Sequence, residues 1–67
     1  MAESVYKVVE IIGTSTESWE RATSAAIERA AESLRDLRVA EVLEQDVTIE
    51  AGKVESYRVK LKLSTQR

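Results

Sequence analysis

Sixty-seven residues make one domain at most, and a domain this small buries only roughly 60% of the surface its unfolded chain exposes. Ten basic against twelve acidic residues leave a net charge of −2, which argues against a nucleic-acid binder, whose basic excess would gather on one face. With no cysteine and no histidine, disulfides and both histidine- and cysteine-based catalysis are excluded, and self-association is the remaining route by which so thin a core is stabilised.

The first segment, Ser4 to Ile12, "SVYKVVEII", is dense in β-branched residues and predicts a strand, with Gly13 closing it. Both of its faces are apolar: Val5, Val9 and Ile11 on one, Tyr6, Val8 and Ile12 on the other. A single helix covers only one side of a sheet, so part of the other side is expected to meet another subunit. From Glu17 to Leu37 the residues Trp19, Ala22, Thr23, Ala26, Ile27, Ala30, Leu34 and Leu37 recur every three or four positions, which predicts an amphipathic helix of about five turns. Alanine dominates that stripe, so the packing partner must approach closely. Glu17, Arg21, Glu28, Arg29, Glu32 and Arg35 form a solvated opposite side.

Arg38 to Ile49 and Val54 to Leu63 predict two further strands, joined by a hairpin at "EAGK", Glu50 to Lys53. In the last strand Tyr57, Val59, Leu61 and Leu63 share one face and Ser56, Arg58, Lys60 and Lys62 the other. The second strand alternates less cleanly: Val39, Glu41, Leu43, Gln45, Val47 and Ile49 fall on one side, and Arg38, Ala40, Val42, Glu44, Asp46 and Thr48 on the other. The order is β-α-β-β, an α+β fold in which one antiparallel sheet wraps one helix, with residues 1–67 as a single domain.

"GTSTESWERA", Gly13 to Ala22, combines a glycine, hydroxyl residues and a helix start, the ingredients of a phosphate cradle. It lacks the further glycines and the lysine of such a loop, and Glu17 and Glu20 occupy the positive end of the helix. The stretch reads as a strand end followed by a helix cap, with Thr14 and Glu17 at capping-box spacing. Trp19 lies on the inward stripe and reads as core or subunit-contact packing, with an aromatic ligand platform as the alternative. Ser15 and Ser18 have no evident base. The carboxylates at Glu41, Glu44 and Asp46 lack a cleft of the usual enzyme size, so no enzymatic activity is expected. The basic stripe Arg58, Lys60 and Lys62 reads as one half of cross-strand ion pairs. A sharper reading has Glu44 and Asp46 from several copies converging on a hard cation, which takes oxygen ligands. No run is long and apolar enough for a signal peptide or membrane span, and the expectation is a soluble cytoplasmic protein without a nucleic-acid or membrane partner.

Taken together, "VYKVVEIIGTSTESW", the alanine-rich helix, "RVAEVLEQD" and the closing "YRVKLKL" resemble the dodecin family over nearly the whole chain. The resemblance implies a homo-dodecameric hollow shell that stores or buffers flavins such as FMN or riboflavin. Typical members stack flavins between tryptophans from the start of the second strand and bond the ring edge through a glutamine on the third. Those two cofactor positions fall on Val39 and Arg58 here, and a position that is basic in some flavin-phosphate-binding members falls on Asp46. Valine has no large π face, and an acid repels a phosphate. The chain is more similar to the tryptophan-lacking calcium dodecins, where "RVA" replaces the aromatic pair and "EQD" follows. The implied function is an oligomeric binding or storage protein that holds calcium, with Glu44 and Asp46 as the metal-ligand candidates. The alternatives are flavin binding through altered contacts, or a structural or partner-binding shell with no small ligand.

Overall fold

The computed structural model describes residues 5–66, with β1 at Tyr6–Ser15, α1 at Trp19–Ala30, β2 at Leu37–Glu50 and β3 at Lys53–Gln66. The three strands form one antiparallel sheet in the order β1-β3-β2, so the last strand is the central one. This is the β-α-β-β architecture expected from the sequence. Position 4, where the first strand was expected to begin, lies outside the described residues.

β3 supplies the centre of the core. Val59, Leu61 and Leu63 alternate toward the helix and are fully buried, together with Ala22 of α1. Ile11, Trp19, Ala26, Ile27, Ala30, Leu34 and Leu37 close around them. The helix packs chiefly on β1 and β3 and leaves much of β2 uncovered.

Gly13 does not end β1. It sits two residues before the end of that strand, buried and paired with Val59. A Cβ at this position would lie 2.7 Å from the Ala26 Cβ and closer still to the Ala22 carbonyl oxygen. The alanine stripe and Gly13 are therefore two halves of one contact: small residues on the helix meet the one strand residue without a side chain.

The helix is shorter than its apolar period suggests, ending at Ala30 rather than Leu37. Leu34 and Leu37 keep the helical spacing because both pack on the core, yet they do so from a turn and from the start of β2. Hydrogen bonds from Glu32 N to Arg29 O and from Ser33 N to Ala30 O tighten the exit. Asp36 then takes a positive φ of 56° to reverse the chain into β2. Aspartate tolerates that conformation better than most residues.

The helix start is capped, but not by Thr14, which belongs to β1. Ser18 is the N-cap, its Oγ accepting from Arg21 N at 3.0 Å, and Ser15 Oγ accepts from Glu17 N at 3.0 Å. With arginine three residues after the cap, no capping box forms. Glu17 instead pairs with Arg21 at 3.2 Å on the exposed face.

At the β2–β3 hairpin both Ala51 and Gly52 have positive φ, 52° and 76°, as a type I′ turn requires. Glycine accepts this freely, whereas alanine there costs about 1–2 kcal/mol. Ala51→Asn is therefore expected to stabilise the protein by about 1 kcal/mol, seen as a rise of the thermal midpoint of roughly 4–8 °C. A midpoint that falls would show that the turn is not of this type.

Candidate functional site

Beyond the core-facing side of the sheet, the strands present a second face. β1 contributes Tyr6, Val8, Glu10, Ile12 and Thr14, and β3 contributes Arg58, Lys60, Lys62 and Ser64. β2 contributes Val39 and Glu41, then Glu44, Asp46 and Thr48. The register of β2 on β3 slips between Val42 and Glu44, so Leu43 is an extra residue that reverses the alternation. The uninterrupted parity expected from the sequence is thereby corrected. Glu41, expected opposite Glu44 and Asp46, joins them, while Val42, Gln45 and Val47 pair with the core positions Leu61, Val59 and Tyr57.

The result is a ladder of charges. Asp46 lies directly across from Arg58 and makes a two-pronged ion pair, with Arg58 Nε donating to Oδ1 and Nη2 to Oδ2, each at 2.8 Å. Lys62 reaches Glu41 at 3.6 Å. Lys60 lies across from Glu44 in register, but its ammonium turns to Glu10 of β1, also at 3.6 Å. Glu44 is thus left without an ion pair within 4.0 Å among the described residues. The hydrogen bonds from Arg58 hold the Asp46 carboxyl below its usual value, and Asp46 in turn raises the Arg58 guanidinium. The basic stripe of β3 is engaged in cross-strand pairing, as its spacing indicated.

Ile12, Glu44, Asp46, Arg58, Val59 and Lys60 line a shallow hollow of about 30 Å³ on this face. That is room for one water or one ion. The structure therefore brings three of the four site positions together, and keeps the fourth apart. Val39, 57% exposed, pairs with Ser64, six residues along β3 from Arg58 and hence ~20 Å away. Within one chain, positions 39 and 58 are therefore well separated along the sheet.

Sequence reasoning missed Glu10, whose capture of Lys60 is what leaves Glu44 unpaired. The signal was slight: one acid among apolar residues in β1. Trp19 is confirmed as a packing residue. Its ring meets Tyr57 edge-on with centroids 5.2 Å apart, and its indole N–H donates to the Asp46 carbonyl at 3.1 Å. The start of the helix is thereby tied to the strand that carries the hollow.

The donor chemistry of the hollow suits a hard cation in kind, but not in number. Calcium takes six to eight oxygens, and no group of three or more metal-ligating side chains occurs among the described residues. Two carboxylates, one of them gripped by Arg58, are an incomplete shell. No helix among the described residues is long and apolar enough to cross a membrane.

Comparison with known proteins adds to this geometry. A sequence profile of the family described as Dodecin matches residues 5–66. The chain is 55% identical over 62 residues to "Calcium dodecin" of Mycobacterium tuberculosis, a match covering 91% of this chain and 86% of that one. A crystal structure of the calcium dodecin of M. tuberculosis, described as a calcium-chelating antigen with a novel calcium-binding site, superposes with a TM-score of 0.84 at 51% identity, covering 96% of this chain and 91% of that one. Dodecin from Streptomyces coelicolor superposes with a TM-score of 0.93 at 36% identity, covering 100% and 96%.

Proposed function

The chain belongs to the dodecin family, and from that premise we propose that it is a homo-dodecameric binding and storage shell of the cytoplasm which has replaced flavin stacking by calcium binding. The observation that carries the reading is the ion-sized hollow where Glu44 and Asp46 meet, on a face that offers only the aliphatic Val39 at the stacking position. The resemblance to a relative named for calcium supports the choice of cation.

Glu44 is the leading donor, because no ion pair among the described residues holds its carboxylate. Asp46 is the second, in competition with Arg58. The remaining oxygens come from water or from other copies, since one chain supplies too few. A dodecamer also gives a role to Tyr6, Val8 and Ile12, which stand exposed on the charged face and are apolar. Nothing here turns a substrate over: the protein takes up and releases an ion.

Calorimetric titration of the assembled protein with calcium chloride tests the reading. We expect saturable heat in the parent and at least tenfold weaker binding in Asp46→Ala, one coordinating carboxylate having been removed. A parent that shows no heat removes the calcium reading. Quenching of FMN or riboflavin fluorescence on titration would show that flavin binding persists despite Val39.

A further inference from the structure

We propose that Glu10, on the far edge of the sheet, is a positioning residue that keeps the hollow open to a cation by holding Lys60 away from Glu44, an inference that rests on the cation site proposed above. Where all three strands run side by side, the charged face sets four carboxylates, Glu10, Glu41, Glu44 and Asp46, against three basic residues of β3, Arg58, Lys60 and Lys62. With one partner each, one carboxylate is left over. Which one it is depends on how the basic residues choose.

Register alone would match the β2 acids completely. Asp46 lies across from Arg58, Glu44 from Lys60 and Glu41 from Lys62, and opposite charges facing each other on neighbouring strands attract. Glu10 breaks this arrangement. It faces Lys62 across β1 and β3, but Lys62 goes to Glu41, and Lys60, which faces the apolar Ile12 on that side, reaches diagonally to Glu10 at 3.6 Å. Glu41 and Asp46 keep their in-register partners, and Glu44 alone loses its own. A lysine carries its ammonium on four flexible carbons, so the acids on either side of β3 compete for it.

Glu10 does not act on the hollow directly. It is not one of the residues that line it, and β3 stands between β1 and β2, so Glu10 and Glu44 sit on strands about 10 Å apart, two strand spacings. Exposed charges are largely screened over that distance. The influence passes through Lys60, which lines the hollow together with Glu44. While Glu10 is charged, the ammonium is drawn toward β1 and the Glu44 carboxylate stays available. Without Glu10, three acids match three basic residues one to one. A cation then reaches Glu44 only by displacing the ammonium.

Calorimetric titration of the assembled protein with calcium chloride tests this in the parent, Glu10→Gln, Lys60→Gln and the double variant. Glutamine keeps the shape of glutamate and removes only the charge. Glu10→Gln is expected to bind calcium about fivefold more weakly, because the ion must first displace an exposed ion pair. Lys60→Gln is expected to bind at least as tightly as the parent, and adding Glu10→Gln to it is expected to change nothing further, since no ammonium is left to redirect. Unchanged binding in Glu10→Gln, weaker binding in Lys60→Gln, or an equal loss from Glu10→Gln with and without Lys60 overturns the proposal while the calcium reading stands. A parent without heat removes the calcium reading, and crystal structures of the parent and Glu10→Gln then decide the role of Glu10. A Lys60 ammonium that moves onto the Glu44 carboxylate in the variant upholds it, and one that stays over β1 overturns it.

Discussion

Alanine at position 13 is expected to cost about 3 kcal/mol, the upper end of what overpacking does to a core. The added methyl group meets the Ala26 Cβ at 2.7 Å and, closer still, the backbone oxygen of Ala22. Neither can swing aside: an alanine Cβ is fixed by its own backbone, and a carbonyl inside a helix cannot move without loosening its turn. The total stability of a chain this long is only roughly 3–10 kcal/mol, so Gly13→Ala removes a large part of it. Denaturant unfolding at fixed protein concentration measures the loss. Ala26→Gly in the same chain is expected to recover little, since the Ala22 oxygen remains in the way. An unchanged midpoint in Gly13→Ala would mean that the helix is free to ride further from β1 than the structure places it.

Arg58→Gln is expected to strengthen cation binding. In the parent the guanidinium occupies both oxygens of Asp46 at 2.8 Å. Removing it frees those oxygens and takes a positive charge from beside the incoming cation. Calcium affinity is then expected to rise on the order of tenfold, a modest value because the pair is open to water and its charges are screened. Equal or weaker binding in the variant would show that the cation does not use Asp46. The same substitution restores the residue that the resemblance places at the ring edge, but it supplies no stacking surface. Flavin affinity is therefore expected to remain unmeasurable in Arg58→Gln and to emerge only when Val39→Trp is added.

β3 was legible in detail because an unbroken strand alternates strictly: Val59, Leu61 and Leu63 are buried as their spacing requires. The close helix contact was legible from its alanines, although its counterpart was not, because a glycine late in a strand looks the same as a glycine that ends one. Helix length failed for a related reason. Leu34 and Leu37 obey the helical period for the sake of the core they reach, while the reversal at Asp36 carries no glycine or proline to announce it. β2 was misread where it bulges, since Leu43 is an ordinary apolar residue and nothing in its type marks an extra position. Of the site, sequence pattern located Glu44, Asp46 and Arg58 but not their relation. The pairing of Asp46 with Arg58, and the desertion of Glu44 by Lys60, depend on strand register, which is set by the hairpin turn and by a bulge at Leu43 that no residue type marks.

The placement of the last strand at the centre of the sheet also bears on synthesis. Ile11 pairs with Leu61 across about fifty residues of chain, and the buried hydrophobic side chains that the sheet gives the core, Val59, Leu61 and Leu63, all belong to β3. A chain leaving the ribosome therefore carries β1 and α1 into solvent with only each other to pack against until β3 follows. The hairpin of β2 and β3, whose strands are neighbours in sequence, is the part that can close locally, and β1 and α1 can dock only once β3 is in place. During that interval the apolar residues of β1 stand open to pairing with a neighbouring strand.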